Sequence, residues 1–310
     1  MTSPPSNPSS PSSRPSDPSD QTSGHATDHH RDHGATPVPP STGRAGRNLP
    51  VAIASGVVLG AAIILSLLFW KAAFMVIVVA AVVVAVWELA QAFATGEIRV
   101  AREPVMAGGV VMVLVAYQFG APSLVTATAV TVLGTMLWRL RGGVAGYVMD
   151  TTASVFTIIY VPFLGGFVAL LLAEDQGERA ILTFILVTIA SDIGGYAVGV
   201  LAGKHPMAPV ISPKKSWEGF AGSAVSCIVV GWLCVVYLLD GDWWVGVLMG
   251  GIAVVMATLG DLCESVIKRD LGIKDMSQIV PGHGGLMDRL DSILATAAPV
   301  WLLLHYLVLS

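Results

Sequence analysis

The sequence has 310 residues, of which 54% are hydrophobic and only 12% are charged, and its formal net charge is −4. Soluble domains carry about 25% charged residues, so this composition argues against an ordinary soluble protein. The small net charge gives no indication of nucleic-acid binding. The three cysteines lack the spacing of a metal site or a disulfide framework, and they are typical of small core residues.

Residues 1–48 consist mainly of Pro, Ser, Thr, Asp, His and Arg, with hardly any aliphatic residue. Such a segment buries too little apolar area to offset the entropy lost on ordering. We therefore predict a disordered N-terminal tail, which is too long and too polar at its start for a secretory signal. Its histidines are explained either by a solvated tail or by weak metal binding.

From Leu49 onward, apolar runs alternate with short polar breaks. A membrane-spanning helix needs about 20 mainly apolar residues. We predict that residues 49–310 form an all-α, polytopic membrane bundle with about nine transmembrane helices: 50–70, 72–94, 104–119, 121–138, 151–173, 180–202, 219–239, 243–263 and 289–309. Patches of small residues favour close helix packing and would also permit a homodimer.

The distribution of Lys and Arg predicts the orientation of the bundle. With nine spans and a cytoplasmic tail, only Lys71 and Arg179 of the 17 basic residues lie on the outer side. We therefore predict a plasma-membrane protein whose N-terminus is cytoplasmic and whose C-terminus is outside. The two long basic connections, 203–218 and 264–288, then share the cytoplasmic face.

Ionisable residues within a membrane span are costly to bury and are usually functional. Three such candidates are Glu88, Asp192 and Asp261, which closes the eighth apolar run. Glu88 is near the cytoplasmic end of the second span, and it either reaches the interface or has a function. Asp192 lies in the sixth span beside Gly194 and Gly195, which permit close helix approach or local unwinding. We favour a site role for Asp192 over a purely structural hydrogen bond.

Residues 260–292 concentrate charges of both signs between two apolar runs. Two sets of polar residues have helical spacing, each on one helix face: Asp261, Glu264, Ser265 and Lys268, and Asp288 with Asp291. Converging carboxylates repel one another unless a cation lies between them, and oxygen ligands suit Mg²⁺. Surface ion pairs at helix ends are the alternative.

Two loops have the composition of phosphate-binding segments. In residues 281–285 (PGHGG), glycines before a predicted helix start let N–H groups converge on an anion, although a tight turn uses the same residues. His283 either contacts a phosphate, acts as a base or caps the loop. Lys214 and Lys215 lie between Pro213 and a predicted helix start near Trp217, which suits a polyphosphate. Interfacial anchoring is the alternative for these lysines.

These motifs resemble those of a known family, the phosphatidate cytidylyltransferases or CDP-diacylglycerol synthases. The matching segments lie within residues 180–300: SDIGGYAVG (191–199), SPKKSWEG (212–219), GDLCES (260–265), SVIKR (265–269), KD (274–275) and HGGLMDRLD (283–291). The departures are Gly195, Ser216 and Val280, and none of them alters a charged position.

The resemblance implies the transfer of a cytidylyl group from CTP to phosphatidate, giving CDP-diacylglycerol and diphosphate, with Mg²⁺ alone or with a second metal ion. Our candidate metal ligands are Asp261 and Asp288, followed by Asp291 and Glu264. Catalytic candidates are Asp261, Asp288, Lys268, Arg269 and His283. Substrate-binding candidates are Asp192, Ser212, Lys214, Lys215, Glu218, Gly284, Gly285 and Arg289. The alternatives are an ion or solute transporter and a CTP-dependent lipid or polyprenol kinase.

Overall fold

The computed structural model describes residues 49–277, 279 and 284–309. The predicted tail, residues 1–48, and the candidate His283 therefore lie outside the described residues. The described chain contains ten α-helices: α1 (Leu49–Phe69), α2 (Lys71–Thr95), α3 (Arg102–Phe119), α4 (Ala121–Arg139), α5 (Tyr147–Ile158), α6 (Leu164–Ala173), α7 (Gly177–Ala202), α8 (Trp217–Leu238), α9 (Trp243–Asp270) and α10 (Met287–Leu307).

Seven segments of the described chain are long and apolar enough to cross a membrane: α2, α4, the continuous segment Tyr147–Ala173, α7, α8, α9 and α10. The prediction of nine spans is therefore confirmed for seven. The other two predicted spans correspond to α1 and α3. In α1 the apolar stretch is Gly56–Phe69, which is shorter than a span. Helix α3 has only 18 residues and begins with the charged residues Arg102 and Glu103.

Helices α5 and α6 form one span that is interrupted by a π-helical turn, Ile159–Phe163. Pro162 lies inside this turn and has no N–H to donate, so the regular α-helical hydrogen-bond ladder is broken there. The turn places Tyr160 against α9, where the Tyr160 hydroxyl donates to the carbonyl oxygen of Gly260 (3.4 Å).

The all-α prediction is wrong in one place, between α7 and α8. There the chain forms an antiparallel hairpin of β1 (Pro206–Ala208) and β2 (Ser212–Ser216), with an irregular register between Pro206 and Ala208. The sequence of β2, SPKKS, has neither the alternation nor the β-branched residues that identify a strand. The predicted helix start near Trp217 is confirmed, because α8 begins there and Ser216 Oγ accepts from the Gly219 N–H (3.1 Å).

Helices α7 and α8 pack closely through the small residues of the SDIGGY segment. A Cβ atom on Gly194 would lie only 2.2 Å from Ser226 Oγ, and one on Gly195 would lie 2.4 Å from Ser223 Oγ. Ser223 Oγ in turn donates to the carbonyl oxygen of Ser191 (2.6 Å). Since α7 continues through these glycines without a break, they serve close helix approach, and the alternative of local unwinding is not observed.

Polar contacts gather at two opposite ends of the bundle. At the end where α7 begins and α10 finishes, Lys71 pairs with Glu178 (3.1 Å), and Glu174 accepts from Trp301 Nε1 (3.1 Å) and contacts His305 Nδ1 (2.8 Å). The other end, where α7 and α9 finish and α10 begins, carries the hairpin and the acidic residues of the motifs.

Candidate active site

A cavity of about 280 Å³ lies at the end of the bundle that carries the hairpin. Its walls come from α7, the hairpin, α8 and α9, with one residue of α10. Three kinds of polar group face it: the Asp192 and Asp261 carboxylates, the two lysines of β2, and the hydroxyls of Ser191, Ser216, Ser223, Thr258 and Ser292. The structure thus brings together four of the predicted site residues, which are Asp192, Lys214, Lys215 and Asp261.

The pair of Lys215 and Asp261 closes one side of this cavity. Lys215 Nζ lies 2.6 Å from Asp261 Oδ2, and the two side chains keep 24% and 39% of their exposure. An ion pair with this much exposure contributes little to stability, because solvent screens it. The lysine can therefore exchange its carboxylate partner for another anion at small cost.

The hairpin that carries the lysines is held at both of its ends. At its base, Glu218 Oε1 contacts His205 Nδ1 (2.6 Å), and Glu218 Oε2 accepts from the N–H groups of Lys204 (3.1 Å) and His205 (3.2 Å). At its tip, Arg269 Nε donates to the carbonyl oxygen of Ile211 (3.3 Å). Glu218 and Arg269 are thus placed to position the hairpin, and Ser212 is its first β2 residue, opposite Ala208.

Behind the cavity, four charged residues of α9 and α10 form what we call the buried network: Glu264, Lys268, Asp288 and Asp291. Lys268 Nζ lies 2.8 Å from Asp288 Oδ1 and 3.3 Å from Glu264 Oε2. Glu264 is 1% exposed and Asp291 is 7% exposed. The predicted one-sided spacing is confirmed, since α9 remains helical through Lys268 and α10 begins before Asp288.

The carboxyl groups of Glu264 and Asp291 are neighbours within this network. Among the described residues no N–H or O–H group donates to the buried Glu264 Oε1, which is costly for a carboxylate oxygen unless a proton or a cation is shared with the Asp291 carboxyl beside it. An unpaired oxygen beside a second carboxylate fits a hard cation such as Mg²⁺ in donor chemistry. Within the described residues, no three acidic, His or Cys side chains converge on one point. Asp261 directs an oxygen at Lys215, and Asp288 directs one at Lys268.

The segment between α9 and α10, residues 271–286, is the signature loop, and its described end is shaped by glycine and by protein carboxylates. Gly284 has a φ of 91°, in the left-handed region that favours glycine. The N–H of Gly285 donates to Asp288 Oδ2 (2.9 Å), which also accepts from the Met276 N–H (3.3 Å). The glycine pattern predicts an anion at this helix start, and the described N–H group of Gly285 is instead directed at Asp288.

Arg289 lies in the first turn of α10 and is exposed, close enough to Asp192 for their charges to interact. The charges of Asp261, Asp291 and Lys215 also act on Asp192. Asp192 therefore links the cavity wall on α7 to the acidic residues of α9 and α10, and its role as a site residue stays a prediction.

Two residues of this region were not among the predicted site residues. Tyr160 lies beside the acidic residues of α9 and α10. No sequence motif contains it, and the one local signal is Pro162, which indicates an irregular turn within an apolar run. Glu88 is fully buried and contacts the start of α10. A lone carboxylate in a predicted span indicates that Glu88 is unusual. Its role is not evident from the sequence, because its hydrogen-bond partners are 189 to 199 residues away.

A second, more open cavity of about 640 Å³ lies between the ends of α2, α4 and the start of α5. Its charges compensate one another. Arg139 Nε donates to Asp150 Oδ2 (2.9 Å), and the Arg99 N–H donates to Asp150 Oδ1 (2.8 Å). This cavity carries none of the motif residues and provides an internal comparison for the first one.

Comparison with known proteins is consistent with this site. A sequence model described as the cytidylyltransferase family matches residues 50–307, so the chain belongs to that family. Several curated relatives carry the more particular name phosphatidate cytidylyltransferase. The one from Mycobacterium bovis is 41% identical over 279 residues, which cover 86% of this chain and 91% of the relative.

Two further relatives with this name extend the comparison. The one from Mycobacterium leprae is 40% identical over 283 residues, covering 86% of this chain and 91% of the relative. The one from Staphylococcus saprophyticus is 37% identical over 147 residues, covering 47% of this chain and 56% of the relative. The family resemblance predicted from the motifs is confirmed.

Proposed function

We propose that this protein transfers the cytidylyl group of CTP to phosphatidate, releasing diphosphate and leaving CDP-diacylglycerol in the membrane. The observation that carries the proposal is the cavity at one end of the bundle, where Lys214 and Lys215 face Asp192 and Asp261 in a chain of the cytidylyltransferase family. The cavity lies where helices end, so a water-soluble nucleotide and a lipid headgroup can meet there.

The lysines of the hairpin bind the triphosphate of CTP. Lys215 releases Asp261 and turns to a phosphate oxygen, and the exposure of this pair makes the exchange inexpensive. Lys214 adds a second positive charge from the same strand. Because β2 is anchored through Glu218 and Arg269, both ammonium groups are presented from a fixed backbone rather than from a mobile loop.

The acidic residues would hold the divalent cation that nucleotidyl transfer uses. Asp261 and Asp288 would be the primary ligands, in exchange for their contacts with Lys215 and Lys268, and Glu264 and Asp291 would add buried carboxyl oxygens. When bound, Mg²⁺ would neutralise charge on the triphosphate and polarise the α-phosphate. Lys268 holds Asp288 in place before the substrate arrives.

The phosphate of phosphatidate is the nucleophile. One of its oxygens forms a bond to the α-phosphorus of CTP, and the bond from that phosphorus to the bridging oxygen breaks, so the electron pair leaves with diphosphate. The attacking oxygen is already anionic, and the reaction needs alignment and charge neutralisation more than it needs a general base. Arg289, at the exposed start of α10, is placed to bind the lipid phosphate.

The distribution of charge supports a cytoplasmic cavity. Among the described residues, most Lys and Arg lie at the end that carries the cavity, whereas Lys71 and Arg179 are at the other end. By the positive-inside rule, the cavity faces the cytoplasm, where CTP is made available, and the end of α10 faces outward. A homodimer remains a prediction from the small-residue patches.

Two labels on CTP test the proposal. The purified protein is incubated with phosphatidate in mixed micelles and with CTP labelled either at the α- or at the γ-phosphate. Cytidylyl transfer puts the α-label into chloroform-extractable lipid and leaves the γ-label in aqueous diphosphate. A γ-label in lipid would indicate a CTP-dependent kinase instead. Uptake of CTP into protein-containing vesicles without lipid labelling would indicate a transporter.

A further inference from the structure

Glu88 lies outside the motif segments but makes hydrogen bonds to the loop between α9 and α10 and to the start of α10. It lies near the end of α2, and none of its surface is exposed. Burying a carboxylate within a membrane bundle is costly unless several donors satisfy it. Its partners therefore indicate why it is there.

All the described donors to Glu88 come from the two ends of the signature loop. Ser277 Oγ donates to Glu88 Oε1 from the side where α9 has ended. The N–H groups of Leu286 (2.9 Å, to Oε1) and Met287 (2.6 Å, to Oε2) donate from the start of α10. One carboxylate thus joins both sides of the loop, across 189 to 199 residues of sequence.

Asp288 makes the complementary connection. Its Oδ2 accepts from the N–H groups of Met276 and Gly285, which lie next to the partners of Glu88. Gly285 lies between the two carboxylates: a Cβ atom there would be 2.8 Å from Asp288 Oδ2 and 3.2 Å from Glu88 Oε2. Glu88 and Asp288 therefore form a double clasp on residues 276–277 and 285–287.

The clasp determines where α10 begins. The N–H groups of Leu286 and Met287 belong to the start of the helix and normally need a cap, and the Gly285 N–H directly precedes them. Here the caps are side chains of the protein, so the position of α10 is tied to α2. Because Asp288 and Arg289 lie in the first turn of α10, any movement of this helix start moves both of them.

We propose that Glu88 is a positioning residue for nucleotidyl transfer: a carboxylate from α2 that fixes the start of α10 and thereby aligns Asp288 and Arg289 with the cavity. The inference rests on the proposed function for its catalytic consequence. The clasp itself is a structural statement that can be tested without turnover.

The catalytic part is tested with Glu88→Gln and Glu88→Asp in the purified enzyme. Glutamine keeps the size but places an NH₂ group against N–H donors, so kcat should fall about 100-fold through misplacement of the helix start. Because Glu88 does not face the cavity, KM for CTP should change less than about threefold. Glu88→Asp keeps the charge with a shorter reach, and its kcat should lie between those of the wild type and Glu88→Gln.

Two controls on the same helix separate positioning from general destabilisation. Gln91→Ala changes an exposed residue and should leave kcat unchanged. Leu89→Ala removes a fully buried apolar side chain next to Glu88, so it should lower the unfolding temperature but not the kcat of the folded fraction. The proposal is overturned if Glu88→Gln retains wild-type kcat, or if Leu89→Ala lowers kcat to the same extent.

Hydrogen exchange provides the readout that is independent of activity. In Glu88→Gln the amides of Leu286 and Met287 should exchange at least about tenfold faster than in the wild type, while amides within α9 are unchanged. If the wild type forms no CDP-diacylglycerol, the proposed function fails, yet this measurement still decides on the clasp. Unchanged exchange at both amides would show that Glu88 does not hold the loop.

Discussion

The cavity-facing pair of Lys215 and Asp261 and the buried network around Lys268 use the same chemistry in two environments. In the first, two partly exposed side chains meet at 2.6 Å beside an open cavity. In the second, Lys268 lies between Asp288 and the fully buried Glu264. Solvent screening makes the first pair easy to break, whereas breaking the second leaves a buried charge without compensation. The first pair is therefore suited to exchange with a substrate and the second to holding the site together.

The largest expected effect comes from Asp288, which belongs to the buried network and is a proposed metal ligand. Asp288→Asn weakens both the Lys268 contact and the clasp on Gly285, so turnover should fall by at least about 1000-fold. The measurement is CDP-diacylglycerol formation at saturating CTP. Asp270→Asn, at the exposed end of α9, is the matched control and should retain activity. Near-normal turnover of Asp288→Asn would refute the ligand assignment.

Removing the cation of the buried network should act mainly on stability. Lys268→Met leaves Asp288 and Glu264 without their positive partner, and the free energy of unfolding should fall by about 3–5 kcal/mol. Thermal unfolding in detergent measures this loss. Arg102→Met breaks the exposed Arg102–Glu103 pair and should change stability by less than about 1 kcal/mol. Equal losses for the two variants would contradict the distinction between buried and exposed pairs.

Removing the cation of the cavity-facing pair should act mainly on substrate binding. Lys215→Gln should raise KM for CTP about 30-fold, because a charge-assisted contact to phosphate is lost. The unfolding temperature should stay close to that of the wild type. Lys204→Gln, an exposed residue at the base of the hairpin that does not line the cavity, is the control. A lower unfolding temperature with unchanged KM would mean that Lys215 belongs with the structural charges.

The smallest loss of kcat is expected from a substitution of Gly285, with Gly251 as its control. Gly285→Ala would bring a Cβ atom to 2.8 Å from Asp288 Oδ2, so the helix start must shift and kcat should fall about tenfold. Gly251→Ala, on α9, meets nothing within 4 Å and should leave kcat unchanged. If both variants behave alike, the space around Gly285 is not what aligns Asp288.

The sequence predicts the parts of this site that are encoded locally. The spacing of Asp261, Glu264 and Lys268 indicates one helix face, and α9 has that face. The apolar runs likewise mark most of the spans. Local patterns of this kind survive in the fold because helix periodicity acts over three to seven residues.

The parts that were missed depend on contacts between distant segments. The hairpin after α7 is stabilised by Glu218 and Arg269, and β2 has little intrinsic strand character, so the SPKKS sequence alone does not indicate it. Glu88 was recognised as an unusual charge, but its donors lie 189 to 199 residues away. Likewise, the glycine pattern predicts that the N–H groups before α10 bind a phosphate, but the Gly285 N–H donates to the Asp288 carboxylate.

The most direct test of the account is to locate CTP on the protein. A photoreactive CTP analogue, followed by peptide mass spectrometry, should label residues within 191–199, 207–223 or 257–261, the segments that contain most of the residues lining the cavity beside Lys215. Excess CTP should suppress this labelling. Labelling of the second cavity, at residues 94–99 or 139–150, or labelling that CTP does not suppress, would contradict the assignment of the nucleotide site.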